Sequence, residues 1–225
     1  MAARSRDAGR SRDVARAVLR RYPRTFGEQL GLRSLETPAG LFGLLVMASL
    51  MSARIRSTIA LEATRSVLRH RWTTAERLAA ASFEERARVL NEAGYARYDE
   101  RTSRMLGAAS EALLDRYRGD LRRLRAEAGR EPSRERQLLK QLKGTGEVGV
   151  DIFFREVQRS WPELYPFADR RALQVAHRLG LGDDARSLTR LAEGDEFVRL
   201  VNGLVRVHLD RAYDEFEGAP ARRTS

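Results

Sequence analysis

The sequence predicts an all-α fold. Alternation of apolar and polar residues at strand spacing is absent along the 225 residues, apolar side chains recur instead at helical spacing, and Ser, Thr, Pro and Gly stand where helices would begin and end. With 42% hydrophobic residues the chain can enclose a core without cross-links, as one ordinary domain or two small lobes.

The elements follow in order. Residues 1–24 hold eight Arg against two Asp, more than half of the net charge, and predict a flexible basic arm feeding a helix whose apolar face is Val14, Val18 and Leu19. Pro38 suits a first helical turn, and Leu41, Phe42, Leu44, Leu45, Val46, Leu50 and Met51 make nearly every face of that helix apolar, which places it centrally. A helix from Thr58 to Arg69 carries Ile59, Ala63, Val67 and Leu68 on one side, and Thr73 or Thr74 caps a short one after it. Ser82 and Glu85 form a capping box, with Gly94 ending the helix they open. Met105, Ala109, Ala112, Leu113 and Tyr117 mark another, running into an Arg-rich stretch interrupted by Gly129 and Pro132. The remaining helices are expected at Ser133 to Lys143, Val148 to Arg159, Arg170 to Leu179 and Glu196 to Phe216.

Composition narrows the chemistry. A net charge of +11 and a pI near 10.9 favour a polyanionic partner such as nucleic acid or an anionic membrane, with an acidic protein as the alternative left open. The absence of cysteine removes disulfides, thiol catalysis, Cys-ligated zinc and iron–sulfur clusters, and His70, His177 and His208 are too dispersed to suggest a metal site. The apolar run from Gly40 to Met51 falls short of the roughly 20 residues that a membrane-spanning helix needs. The Arg-rich N-terminus lacks the apolar stretch of a secretory signal, so a cytoplasmic protein is expected, an Arg- and Ala-rich transit peptide being the alternative left open.

The segment Gly144-Thr145-Gly146-Glu147-Val148-Gly149 matches G-x-G-x-x-G, with Asp169 20 residues beyond it. A dinucleotide fold needs a β-strand before those glycines. Here the charged, helix-forming stretch Arg134 to Leu142 precedes them, so that reading fails. Helix, glycine turn, helix is a different device. Leu139 and Leu142 can pack against Val150, Ile152 and Phe153, while the turn exposes N–H groups at the start of the second helix, where the dipole favours an anion. A phosphate bound there would be held without base information, making binding salt-sensitive and sequence-tolerant. The competing reading is an αα-hairpin that binds nothing.

The run Leu142 to Val150, followed by Trp161-Pro162 and then Phe167-Ala168-Asp169, resembles the helix-hairpin-helix and acidic loop of the endonuclease III-like (HhH-GPD) DNA glycosylase superfamily. Leu41 to Ala53 resembles that family's central helix, and Asn91-Glu92-Ala93-Gly94-Tyr95 its turn before the next helix. The resemblance covers about residues 36–181. It implies two helical lobes: a terminal one from 14–35 plus 158–217, and a central one at 36–157 with the hairpin at 134–157. The arm would occupy 1–13 and a tail 218–225. It also implies a monomer acting on double-stranded DNA, nucleoid-associated, that excises a flipped-out damaged or mismatched base.

Three departures qualify that implication. Val148 stands where strand-cutting relatives place a lysine, and valine cannot form a Schiff base. The cysteines that hold an iron–sulfur cluster in many relatives are missing, so no such cofactor is expected. Thr145 replaces the usual aliphatic residue between the glycines. Lys143, Gly144, Thr145, Gly146, Val148 and Gly149 then become the expected phosphate site, whose carbonyls could hold a monovalent cation as in some relatives. The resemblance makes Asp169 the catalytic carboxylate. One anion can suffice, because breaking an N-glycosidic bond builds positive charge on the deoxyribose. Asp169 also precedes a helix and could serve as its N-cap alone. Arg54 matches the position of a residue that fills the gap left by a flipped nucleotide, with a solvated Arg as the alternative. Trp161, Tyr165 and Phe167 could stack on a base or simply pack. The expected activity is N-glycosidic hydrolysis without β-lyase action, the alternative being a catalytically inactive helix-hairpin-helix DNA-binding protein.

Overall fold

Helix α3 (Pro38–Met51) is apolar on all sides, and its residues from Leu41 to Leu50 are buried. The Thr37 hydroxyl accepts from the Gly40 amide, and Pro38 occupies the first turn, so the start of this helix is fixed locally. The computed structural model describes the backbone of residues 2–32, 34–96 and 99–217, with side chains from residue 9 onward. Among them, helices and turns account for all regular structure and no strand occurs. The tail expected at 218–225 lies outside the described residues.

The chain divides into two units, Gly27–Glu163 and Met1–Phe26 with Leu164–Ser225. These boundaries differ from the 35/36 and 157/158 expected, and particular contacts explain why. The Gly27 amide donates to Glu156 Oε2 at 3.2 Å. Glu163 is held by Arg125 in a bidentate pair, both bonds 2.6 Å. Each contact keeps the residue at the seam with Gly27–Glu163. Phe26 instead lies beneath the Arg206 guanidinium at 5.0 Å, and Tyr165 packs edge-on against Phe197 at 5.1 Å.

In the larger unit, α4 (Ser57–Arg69) and α10 (Glu147–Val157) pack on α3. Helices α5 (Ala75–Ala80) and α6 (Phe83–Leu90) pack on α7 (Asp99–Tyr117). Thr74 caps α5, and Ser82 with Glu85 forms the expected capping box on α6. A wide helical turn follows at Asn91–Tyr95, with Gly94 at φ 83°. The Tyr95 hydroxyl reaches back to the Leu50 carbonyl at 3.0 Å, tying that turn to the end of α3. Two α-helices of this unit were not expected from periodicity. One is α2 (Phe26–Gln29); the other is α8 (Leu121–Glu127), in the Arg-rich stretch, capped by Asp120 and buried through Leu121 and Leu124. Helix α9 (Pro132–Lys140) completes the unit before the hairpin.

Two buried ionisable groups, Arg86 and Glu135, lie among these helices. Arg86 donates to the carbonyls of Leu78 and Ala81, at the end of α5, and of Ser103 in α7. Burial pulls its pKa below the usual arginine range, and the three carbonyls, two of them at the negative end of a helix dipole, offset that cost. Glu135 is fully buried, and neither of its oxygens receives a donor among the described residues. Burial first, then the adjacent Glu163 carboxylate, pushes its carboxyl up to about 8, so it keeps its proton at neutral pH and shares it with Glu163. Burial would raise Glu163 as well, but its bonds to Arg125 outweigh that and keep it below the usual carboxylate range. Arg125 also lies over the Trp161 ring at 5.3 Å, and Trp161 meets Phe153 edge-on at 5.4 Å.

In the smaller unit, α1 (Ala2–Arg21) and α11 (Arg170–Arg178) pack on α13 (Gly194–Leu209). A Cβ on Gly203 would stand 2.8 Å from Val18 Cγ1, so glycine is what lets α1 approach α13 so closely. The arm expected at 1–13 is helical from Ala2, in line with the strong helix propensities of Ala and Arg, which outweigh the single Gly9. Short α12 (Ala185–Thr189) is capped by Asp184. The single helix expected to reach Phe216 breaks instead. Arg211 takes φ 56° and the Ala212 amide turns back to the Val207 carbonyl, after which α14 (Asp214–Glu217) begins.

Replacing Arg86 by Met leaves those carbonyls without their donor and is expected to cost about 2–3 kcal/mol in urea denaturation; a loss under 0.5 kcal/mol would contradict the role given to Arg86. Glu135 binds its proton more tightly folded than unfolded. Its contribution is therefore complete below its ordinary value of 4.5 and is lost as pH rises through about 8. Between about pH 5 and pH 8.5 the wild-type thermal midpoint should fall relative to that of Glu135→Gln, which carries no ionisable proton there. A constant difference between the two curves would refute the shared proton.

Candidate nucleic-acid interface

The hairpin is built by local bonds. As α9 ends, the amides of Gln141 and Leu142 turn back to Leu138 and Leu139, and the Thr145 amide to Leu142. Gly144 has φ 84°, so the backbone requires glycine; a Cβ there would also displace the flexible end of Met105, 2.6 Å away at Cε. Around Gly146 the space is open, and at Gly149 a Cβ would make only ordinary contacts, with Thr145 Cγ2 at 3.6 Å and with Ala48 O of α3 and Ser52 Cβ just after it, both at 3.8 Å. Of the glycines in the motif, the first is the one that the turn cannot replace. Thr145 points inward, buried, with its hydroxyl 3.5 Å from that of Ser49. That polar neighbour suits a threonine between the two glycines.

Gly146 caps α10 without any side-chain hydrogen bond. The first-turn N–H groups at Glu147, Val148 and Gly149 therefore have no intrahelical partner and face out of the helix end, where the dipole is positive. Val148 is 55% exposed beside them. The Glu147 side chain turns away from this end into an ion pair with Lys140 and a 2.9 Å pair with Arg136, and these hold its carboxyl below the usual range. Arg136 also bonds Asp151 at 2.8 Å. Lys140 is thus engaged within the hairpin. Lys143 is exposed and makes no ion pair among the described residues.

Beside the turn opens a cavity of about 1020 Å³. The end of α3 contributes Ser49, Ser52, Ala53 and Arg54; the first turns of α7 contribute Arg101, Thr102, Arg104 and Met105; the hairpin contributes Lys140 to Gly146. Five cations line it and no carboxylate does. Arg104 pairs with Glu100 at 3.1 Å, whereas Arg54 and Arg101 are exposed and make no ion pair among the described residues. The sequence had not singled out Arg101 and Arg104. They lie some forty residues before the hairpin, and in so Arg-rich a chain only the packing of α7 marks them.

Asp169 belongs to the smaller unit. It is 6% exposed and caps α11, its Oδ1 accepting from the Ala172 amide at 3.0 Å. Trp161 is 1% exposed and enclosed by Phe153 and Arg125, which makes it a core residue. Tyr165 is half-buried, packing on Phe197 and accepting from the Gly194 amide at 3.4 Å; Phe167 is also half-buried. Among the described residues no group of three His, Asp or Glu is arranged to hold a metal, and no helix is long and apolar enough to cross a membrane.

No protein-family profile matches this sequence, and no curated protein does. Two solved structures are similar in fold. One is a trapped endonuclease III–DNA covalent intermediate in an estranged-adenine complex, with TM-score 0.51 and 17% identity over 87% of this chain and 83% of that one. The other is a non-covalent endonuclease III–DNA complex, with TM-score 0.51 and 17% identity over 86% of this chain and 81% of that one. The described residues, helical and with a helix-hairpin-helix, therefore have an endonuclease III-like fold.

Proposed function

We propose that this protein is a DNA glycosylase of the base-excision type, which hydrolyses the N-glycosidic bond of a damaged or mismatched base and leaves the strand uncut. The observation that carries the reading is the hairpin mouth. Unpartnered amides at the start of α10, exposed Lys143 and a cationic cavity free of carboxylates form a seat for a phosphodiester. The fold shared with endonuclease III–DNA complexes supports the same partner.

In this reading the Gly144 to Gly149 turn grips the backbone, Arg54 enters the space left by the extruded nucleotide, and Asp169 stabilises the oxocarbenium-like sugar while orienting water. An acid that caps a helix can do this, because the cap uses one oxygen and fixes the direction of the carboxylate. Val148 offers no amine, so hydrolysis by water is the chemistry left to the site. The second reading, a DNA-binding protein of this fold without catalysis, is favoured by the burial of Asp169 at 6% exposure.

A panel of damaged and mismatched duplexes separates the two. Asn caps helices as well as Asp, so Asp169→Asn keeps the fold while removing the charge. Base release in the wild type should fall about a hundredfold or more in this variant, with duplex affinity unchanged. High, salt-steep affinity with no base released from any duplex would favour the binding protein. Borohydride treatment with abasic DNA should trap no covalent adduct, and an adduct would disprove the uncut-strand assignment.

A further inference from the structure

Helix α1 has two faces. Val14, Ala15, Val18 and Tyr22 are buried, with Val18 and Tyr22 set against Gly203 of α13. The other face carries Arg12, Arg16 and Arg20, all exposed, at i, i+4 and i+8. On an α-helix that spacing puts the three cations in one line, about 6 Å apart over about 12 Å. Other arginines of this segment are used within the unit. Arg21 pairs with Glu215 at 3.3 Å, and Arg10 donates to the Glu217 carbonyl at 3.3 Å. Arg16 has Asp13 at 3.8 Å, while Arg12 and Arg20 make no ion pair among the described residues. Like charges at i, i+4 weaken a helix, so this row opposes the stability of α1 unless a polyanion meets it.

We propose that Arg12, Arg16 and Arg20 form a second backbone-gripping site for duplex DNA, on a different unit from the hairpin and indifferent to sequence. The inference rests on the DNA reading given above. Charge and spacing select the occupant. B-DNA carries about one negative charge per 1.7 Å of axis, so a row of about 12 Å faces several phosphates at once. A lipid surface is the poorer partner, because an interfacial helix must bury its apolar face in the membrane and α1 has already buried its own against α13. Such a contact adds affinity and lets the protein slide along the duplex, and base discrimination stays elsewhere.

The test is equilibrium binding of the full chain to an undamaged duplex across a salt series. Gln retains helix propensity, so Arg12→Gln, Arg16→Gln and Arg20→Gln are combined in one variant, with far-UV circular dichroism to verify folding. The slope of log K against log salt should become less steep by about 2.7 in the triple variant. The single variants Arg12→Gln and Arg20→Gln should each change it by about 0.9, which keeps the test decisive if the triple variant misfolds. A wild-type protein that binds duplex while the variants keep its slope overturns this site and leaves the glycosylase reading standing. A wild-type protein without duplex affinity overturns both. Loss of affinity for vesicles of anionic phospholipid, with DNA binding unchanged, would also overturn it.

Discussion

A helix with no polar face has to be enclosed on every side, and that constraint organises the larger unit. Because α3 is buried from Leu41 to Leu50, α4 and α10 must close around it, and the chain on either side has to supply them. Enclosure also fixes where α3 can end. Its last turn delivers Ser49, Ser52 and Arg54 to a cavity wall, with the Tyr95 bond to Leu50 holding that end in place. The hairpin sits there because α10 packs on α3 at Gly149, and Gly144 allows the reversal that brings α10 back. A packing requirement of the core thus positions a polar mouth.

The cations then divide into two populations. Arg86 and Arg125 are enclosed and satisfied by carbonyls or a bidentate carboxylate, and Arg136 and Lys140 lock the two helices of the hairpin through Glu147 and Asp151. These work as structural links. Arg54, Arg101 and Lys143 line the cavity without ion pairs among the described residues, and Arg12 and Arg20 stand likewise on α1. A net charge of +11 spread evenly would say little about recognition. Concentration of unpaired cations at an acid-free cavity is more informative, because like charges gather against their own repulsion only where a fold imposes it or a counter-charge arrives.

Local signals were legible and assembled ones were not. The capping box at Ser82, the cap at Thr74 and the cap made by Asp169 each depend on residues within one turn, and the apolar run of α3 on one unbroken stretch of chain; the structure shows them where the sequence put them. Helix α8 was obscured because Leu121 and Leu124 are the only apolar anchors among four charged neighbours. Nothing in sequence marks Arg211 for a positive φ, a conformation more usual for Gly or Asn, so the break after α13 was invisible. Glu135 stands in a helix's first turn, where an acid is commonly solvated; burial first, then the Glu163 carboxylate, makes it a neutral acid. The cavity joins three segments far apart in the chain, and no single window of sequence contains it.

Grip and chemistry also separate along these lines. An amine at residue 148 would add a cation beside the start of α10, where the dipole is already positive, and would compete with the amides for the same phosphate. With valine there, the proposed anion seat is left to Lys143 and to N–H groups whose geometry the turn fixes. The hydrolysis proposed above then needs an acidic side chain that is held in place. Asp169, proposed for that role, is held for a physical reason: accepting from the Ala172 amide as the cap of α11 costs its side chain rotational freedom. If Asp169 acts as proposed, the hydrogen bond that starts α11 also sets the direction of the acid.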